Sequence, residues 1–145
     1  MSAAAIHERD IAALLAWLDT GRHRRFAWRR GRDCVSFANG AVEAQTGVDL
    51  LAGIGPWSTR REAIQIAASV GGLEAMLDRH MDQVPPALAQ RGDVAGLADR
   101  RFGIRLMIVE GRTLAGPGTR GLVRLPREAM TMAWSAATAR AEPRA

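Results

Sequence analysis

The chain has 145 residues, of which 48% are apolar and 24% are charged, the size and composition of a single globular domain. These values exclude a disordered chain, and no apolar run approaches the ~20 residues that span a bilayer. The formal charge of +5 comes from arginine alone, since the sequence contains no lysine, a pattern typical of a GC-rich genome. A single cysteine forms no internal disulfide, which favours a protein made and folded in a cytoplasm.

Two amphipathic helices are predicted in the first third of the chain. Apolar side chains recur with helical spacing over residues 11–18, and Gly21 ends this helix. Asp33 is a favourable N-cap, so a second helix is expected to begin at Cys34 and to end at Gly47.

Two further helices follow a Gly/Pro/Trp loop. Thr59 and Glu62 have the spacing of a capping box and predict a third helix that ends at Gly71–Gly72. Residues 73–81 predict a fourth helix, which Pro85–Pro86 cannot extend.

The second half of the chain has the pattern of antiparallel strands. Short apolar or alternating runs occupy residues 94–97, 103–109 and 122–125, with Gly, Pro and Asp between them. Residues 129–134 are expected to close the fold as a short helix. Helices followed by strands indicate an α+β protein, in which N-terminal helices pack on a small antiparallel sheet.

The domain boundaries follow from the same patterns. Residues 1–135 are predicted to form one domain, and residues 136–145, rich in Ala, Arg, Glu and Pro, a flexible C-terminal tail.

Cys34 is the candidate chemical group. A thiol in the first turn of a helix is close to the positive end of the helix dipole, which stabilises a thiolate. A lone cysteine on an apolar helical face is also typical of a small buried packing residue, and both interpretations stay open.

Residues 28–37, WRRGRDCVSF, place an aromatic residue and a glycine before Asp-Cys. This segment resembles the nucleophile motif of the NlpC-type cell-wall peptidases, a family with a papain-like fold. Residues 91–94 resemble that family's Gly-Asp step into the sheet, and residues 102–104 and 110–112 its central strand pair. The chain looks closest to a small branch of prophage and phage tail-tip proteins, which also carry Gly-Gly-Leu and Pro-Pro-Ala-Leu before Gly-Asp.

The chain departs from the family at the catalytic base. The family's histidine aligns with Arg101, which keeps its proton at physiological pH and cannot accept one from Cys34. The family's third polar residue is absent too, since its region offers only Thr113. The resemblance therefore implies a degenerate domain, with Cys34 at the nucleophile position and no functional catalytic set.

The three histidines do not restore a triad in sequence. His7 and His23 precede Cys34, and His80 shares an apolar helical stripe that is typical of a packing residue. Whether His80 or His23 approaches Cys34 stays open. One cysteine and three scattered histidines lack the spacing of zinc ligands, so neither a metal nor another cofactor is expected.

These observations favour a structural or binding component of a phage or prophage tail tip or baseplate, similar to gene-transfer-agent proteins, made in the bacterial cytoplasm and carried in the virion tail. The expected partners are other tail-tip proteins, such as a hub or distal tail protein, with peptidoglycan as a further candidate.

One alternative is a cysteine-type peptidoglycan amide hydrolase that uses Cys34. A second is a nucleic-acid-binding module, which is not favoured, at an arginine cluster defined by Arg22, Arg24, Arg25, Arg29, Arg30 and Arg32. The candidate contact residues are Arg24, Arg25, Trp28, Arg29, Arg30 and Trp57.

Overall fold

The structure, a computed structural model, describes residues 6–21, 25–100 and 103–143. The four predicted helices are confirmed. They are α1 (Ile11–Gly21), α2 (Cys34–Thr46), α3 (Arg60–Ser69) and α4 (Leu73–His80).

The bounds of α2 follow from its capping residues. The Asp33 carboxylate accepts a hydrogen bond from the Ser36 amide at 2.8 Å, so one of the helix's unpaired N–H groups is satisfied. At the other end Gly47 has φ 78°, and its amide donates to the Glu43 carbonyl at 2.8 Å. The predicted start at Cys34 and stop at Gly47 are confirmed.

Helix α3 begins with the predicted capping box. The Thr59 hydroxyl accepts from the Glu62 amide at 3.1 Å, and the Glu62 carboxylate accepts from the Ser58 amide at 3.1 Å. Gly71 and Gly72 then separate α3 from α4 with positive φ values of 82° and 101°, a conformation that favours glycine. Unlike the other three helices, α3 contributes no buried residue.

The described residues of the second half form a six-stranded antiparallel sheet in the order β1-β6-β2-β3-β4-β5. Three short 3-10 turns lie at Pro86–Leu88, Arg127–Ala129 and Ala136–Thr138. The strands are β1 (Gln83–Val84), β2 (Val94–Asp99), β3 (Gly103–Val109), β4 (Thr113–Gly118), β5 (Gly121–Pro126) and β6 (Met132–Trp134).

The sheet separates two apolar clusters. On one face, Leu106 and Ile108 of β3 share a core with Phe37 and Val42 of α2, which places α2 against the centre of the sheet. The opposite face carries a smaller cluster, which includes Met107, Val109, Leu114, Met130 and Ala133. The sheet thus positions the start of α2 beside the ends of β2 and β3.

The prediction of a closing helix over residues 129–134 is wrong. Met132–Trp134 form β6, which lies between β1 and β2 and pairs Trp134 with Val94. Trp134 is fully buried, and its Nε1 donates to Asp78 at 2.8 Å. A strand inside the sheet satisfies the backbone on both sides, which a short helix there would not do.

The predicted boundary after Ser135 falls inside packed structure and is corrected. Ala136 and Ala139 are buried, and the Ala136 amide donates to the Asp93 carboxylate at 3.0 Å. Arg140 forms a salt bridge with Asp82 at 3.0 Å. Residues 136–140 are therefore held to the rest of the fold in two ways. Their small side chains fill the core, and a buried carboxylate accepts a hydrogen bond from their backbone.

Candidate functional site

Cys34 is the first residue of α2 and lies partly exposed at one wall of a cleft. Burial of the thiol raises its pKa to about 11. The Leu106 backbone hydrogen bond and the charge of Arg105 act in the opposite direction, and the negative charges of Asp33 and Asp99 add to the increase. Desolvation is the largest of these effects and outweighs the hydrogen bond and the arginine charge that favour a thiolate.

Asp33 holds the start of α2 and also one wall of the cleft. It is buried, with 4% of its surface exposed. One carboxylate oxygen accepts from the Ser36 amide, and the other accepts from Trp57 Nε1 at 2.6 Å. Burial raises the pKa of the Asp33 carboxyl, although these hydrogen bonds act in the opposite direction. Both oxygens of the Asp33 carboxylate therefore accept hydrogen bonds that stabilise the fold.

The cleft has a volume of about 420 Å³, within the range of small-molecule sites. Helices α2, α3 and α4 contribute to its walls, together with the loop that precedes α3 and the adjoining ends of β2, β3 and β4. Apolar side chains predominate. The lining residues are Phe26, Trp28, Asp33, Cys34, Val35, Leu51, Ile54, Trp57, Ala63, Ile66, Ala67, Val70, Leu73, Met76, Asp99, Arg100, Ile104, Arg105, Pro117, Gly118 and Thr119.

Sequence reasoning missed the contribution of α3 to this cleft. Ala63, Ile66, Ala67 and Val70 recur at i, i+3, i+4 and i+7 and all line it. Their spacing predicts an apolar face but does not say whether that face packs in the core or borders a cavity. In the structure the face does both, because Ala63, Ile66 and Val70 pack against the main core while partly exposed and also line the cleft.

The histidines that the structure describes lie away from the cleft. His7 Nε2 is 2.7 Å from the Ala139 carbonyl oxygen, and His80 Nδ1 is 2.8 Å from that of Arg140. Since a carbonyl only accepts, each of these nitrogens carries a proton. His80 is half-buried and is not among the residues that line the cleft beside Cys34, while His23 lies outside the described residues.

The other two family positions give no catalytic partner among the described residues. Arg101, aligned with the family's histidine, lies outside them. Thr113 begins β4, and its hydroxyl donates to the Glu110 carboxylate at 3.1 Å rather than lining the cleft.

The structure describes only part of the arginine cluster. Arg25 and Arg29 are exposed and Arg32 is partly buried, whereas residues 22–24, which include Arg24, lie outside the described part. The nucleic-acid hypothesis stays a prediction that binding by this cluster weakens steeply with salt.

Three of the candidate contact residues have structural partners, and the Trp28 ring packs edge-to-face on Phe26 with 5.0 Å between ring centroids. The Arg30 guanidinium donates to the carbonyls of Ile54 and Leu51 and lies 5.9 Å from the centre of the Trp57 ring. Trp57 is buried, with 6% of its surface exposed, and lines the cleft together with Trp28. Arg30 and Trp57 thus fix the loop before α3, and the indole of Trp57 is directed to the cleft rather than to the outer surface.

The protonation state of Cys34 limits its chemistry. With a pKa of about 11, a thiol is ionised in about one molecule in ten thousand at pH 7. A working cysteine nucleophile needs an adjacent base or a depressed pKa, and none of the described residues that line the cleft is a histidine.

Neither a metal-binding cluster nor a membrane-spanning helix occurs in the ranges that the structure describes. Within them, no group of three or more His, Cys, Asp and Glu side chains could hold a metal ion. The helices at residues 11–21, 34–46, 60–69 and 73–80 include none long and apolar enough to cross a membrane.

Comparison with known proteins identifies the family. Residues 8–136 match the family described as "Domain of unknown function (DUF6950)", from just before α1 to the turn after β6. The chain belongs to this family. No curated protein matches the sequence of this DUF6950 chain.

Among solved structures, the DUF6950 chain is similar to the crystal structure of the NlpC/p60 domain of peptidoglycan hydrolase SagA. The TM-score is 0.55 and the identity 18%, over 87% of this chain and 98% of that chain. At this identity the likeness shows the fold alone. The α+β, NlpC-type fold predicted from the sequence is therefore confirmed.

Proposed function

We propose that this DUF6950 chain is a non-catalytic binding module on an NlpC/p60 fold, and that it serves as a structural component of a phage or prophage tail tip or baseplate. One observation carries the chemical half of the proposal. The Cys34 thiol, whose pKa burial raises to about 11, borders an apolar cleft that no described histidine lines.

The loss of catalysis follows from proton transfer. General acid–base catalysis typically contributes ~10²–10⁴ in rate. The sequence places Arg101 where the family has its histidine, and arginine neither accepts a proton from a thiol nor donates one to a leaving amine at physiological pH. A high thiol pKa and an arginine at the base position both oppose catalysis, because the first lowers the thiolate population and the second removes the group that would accept and donate the proton.

The tail-tip role rests on sequence. The chain resembles a branch of tail-tip proteins through its Asp-Cys motif, Gly71–Gly72–Leu73 and Pro85–Pro86–Ala87–Leu88. Exposed Arg25 and Arg29 offer polar contacts to a hub or distal tail protein, since arginine is enriched at protein interfaces.

Thiol reactivity tests the chemical half of the proposal. At pH 7, iodoacetamide is expected to alkylate Cys34 about two orders of magnitude more slowly than free cysteine, because the thiolate population is lower by about that factor. Mass spectrometry gives the rate, and urea-unfolded protein is the control for intrinsic reactivity. Alkylation as fast in the native state as in the unfolded state would overturn the assignment of a protonated, shielded thiol.

Mass spectrometry of purified particles tests the tail-tip half. Particles induced from a strain that carries the gene are expected to contain the chain in the tail fraction, at a constant ratio to the other tail proteins. Its absence from intact, infectious particles would refute a virion role while leaving the chemical half unaffected.

A second candidate is a peptidoglycan amide hydrolase, favoured by the position of Cys34 at a helix start on the wall of an open cleft. Incubation with purified peptidoglycan distinguishes it. Release of peptide fragments by the wild type but not by Cys34→Ala would establish hydrolysis. Separate His23→Ala and His80→Ala variants would then identify the base. We expect no fragments from any of the four proteins.

A further inference from the structure

The cleft beside Cys34 is apolar on several sides. Val35 of α2, Leu51 of the following loop, Met76 of α4 and Ile104 of β3 line it from different elements. Concave apolar surfaces of this size are typical of small-molecule sites, where a few polar groups set the orientation of the ligand. The cleft therefore has the general properties of a ligand site even without a functional nucleophile.

Helix α3 contributes a complete apolar face to this cavity. Ile66, Ala67 and Val70 line the cleft, while Ile64 is directed outward and is 40% exposed. Ile66 and Val70 are partly buried against the main core, and the same face also borders the open cavity, so that no residue of α3 is fully buried. When an apolar ligand covers apolar surface that is exposed in this way, water is released from both and the free energy of the system falls.

A peptide fits these walls less well than a hydrocarbon. Each peptide unit needs partners for its N–H and C=O groups, and burial without partners is costly. Asp33 is already committed to Ser36 and Trp57. The remaining inner surface is largely aliphatic, which matches methylene groups and leaves peptide groups unsatisfied.

Three arginines and two carboxylates lie at or beside the cleft. Arg100 and Arg105 line it, and the Arg60 guanidinium lies 5.9 Å from the centre of the Trp28 ring, another lining residue. The carboxylates are Asp99 and Asp33, and that of Asp33 already accepts hydrogen bonds from Ser36 and Trp57. This balance favours a ligand whose polar end carries negative charge.

We propose that the Cys34 cleft binds the acyl chain of a single-chain anionic amphiphile, with the hydrocarbon against α3 and the anionic group at the arginines. A fatty acid of medium length has this chemistry. The protonated Cys34 thiol is compatible with it, because an uncharged sulfur borders the chain. The assignment is independent of any tail-tip role, since it concerns the cleft alone.

Calorimetric titration of the full chain with sodium dodecanoate, below its micelle concentration, tests the assignment. We expect saturable binding with a Kd below about 1 mM. Dodecyltrimethylammonium, with the same chain and opposite charge, is expected to bind at least about tenfold more weakly. No saturation with dodecanoate would overturn the proposal, and equal binding of the two amphiphiles would refute the anionic preference.

Two pairs of variants on α3 locate the binding site. Ala67→Phe fills the cleft and Ile66→Glu places a charge in it, whereas Ala68→Phe and Ile64→Glu make the same changes at exposed positions that do not line it. The cleft variants are expected to weaken dodecanoate binding at least about tenfold and the controls less than about twofold. Circular dichroism confirms the fold of each variant. If Ile66→Glu does not fold, the comparison of Ala67→Phe with Ala68→Phe decides where the ligand binds. Equal affinity of these two variants for dodecanoate would show that it binds outside the cleft.

Discussion

A single buried carboxylate fixes the entrance of the cleft. Asp33 caps α2 through the Ser36 amide and holds the Trp57 indole, so one side chain joins the start of the helix to the loop before α3. A buried acid that performs both tasks couples stability to pH.

Replacement of Asp33 by asparagine should reveal that coupling. The pKa of Asp33 is raised above its ordinary value of 3.8, chiefly by burial. An acid with a higher pKa in the folded state binds more protons when folded, so its contribution to the free energy of unfolding falls as pH rises from about 3.8 through the folded pKa. The stability of the wild type relative to Asp33→Asn should therefore decrease over that interval, as measured by urea unfolding.

Asp10→Asn is the control for that measurement, because Asp10 is exposed and its carboxylate accepts from the Ala13 amide at 2.9 Å near the start of α1. The two replacements thus affect similar backbone hydrogen bonds and differ in burial. An equal change of stability with pH for both variants would contradict the role of Asp33 burial.

Close packing of α1 on α2 depends on a glycine. A Cβ at Gly40 would lie 2.2 Å from the nearest carbon of the Trp17 ring. Gly40→Ala should therefore destabilise the protein by about 1–3 kcal/mol through overpacking, despite the better helix propensity of alanine. The same change in a Trp17→Ala background should cost less. Additive effects in this double-mutant cycle would contradict direct contact.

At the scale of elements, α3 is expected to be the least protected helix. It buries no residue, whereas α2 buries Phe37, Ala38, Ala41, Val42 and Gln45. Local opening of α3 therefore exposes less new apolar surface and costs less free energy. Hydrogen exchange followed by mass spectrometry should show faster exchange in residues 60–69 than in residues 34–46. Equal protection of both segments would show that α3 opens only with the whole domain.

The elements also show where sequence patterns suffice. Cap residues such as Asp33 and Thr59 act within one turn, so the helix starts were predictable from the sequence alone. Strand β4 was not predicted because its sequence, TLAGPG, has the composition of a loop, and β6 was assigned to a helix. Both segments owe their conformation to neighbouring strands, which lie far away in sequence and leave no local signal.

At the scale of the molecule, the candidate site was predictable only in part. The Asp-Cys motif located Cys34, but the cleft beside it forms from separated segments whose contacts no short pattern records. The high thiol pKa arises in the same way, since burial depends on elements that pack around the helix start.

The C-terminal segment should contribute to global stability. Removal of residues 136–145 would delete buried Ala136 and Ala139 and would remove the Ala136 amide that donates to one oxygen of the Asp93 carboxylate, while the Gln90 amide still donates to the other. We expect a loss of at least about 2 kcal/mol, because buried apolar groups and a hydrogen bond of about 1 kcal/mol are lost together. Removal of residues 141–145, which lie beyond Arg140, is the control and should change the midpoint of thermal unfolding little. Similar midpoints for the two truncations would show that residues 136–140 add nothing.

The contact between the two ends of the described chain allows a rearranged protein. The His7 amide donates to the Ala137 carbonyl at 2.7 Å, so the first and last described segments lie side by side. A short linker could join them, and the chain could be reopened at the exposed turn between β4 and β5, around residues 119–120. Such a circular permutant would keep every helix and strand and would present its new termini beside the cleft, where a reporter fused to them would sense its occupancy.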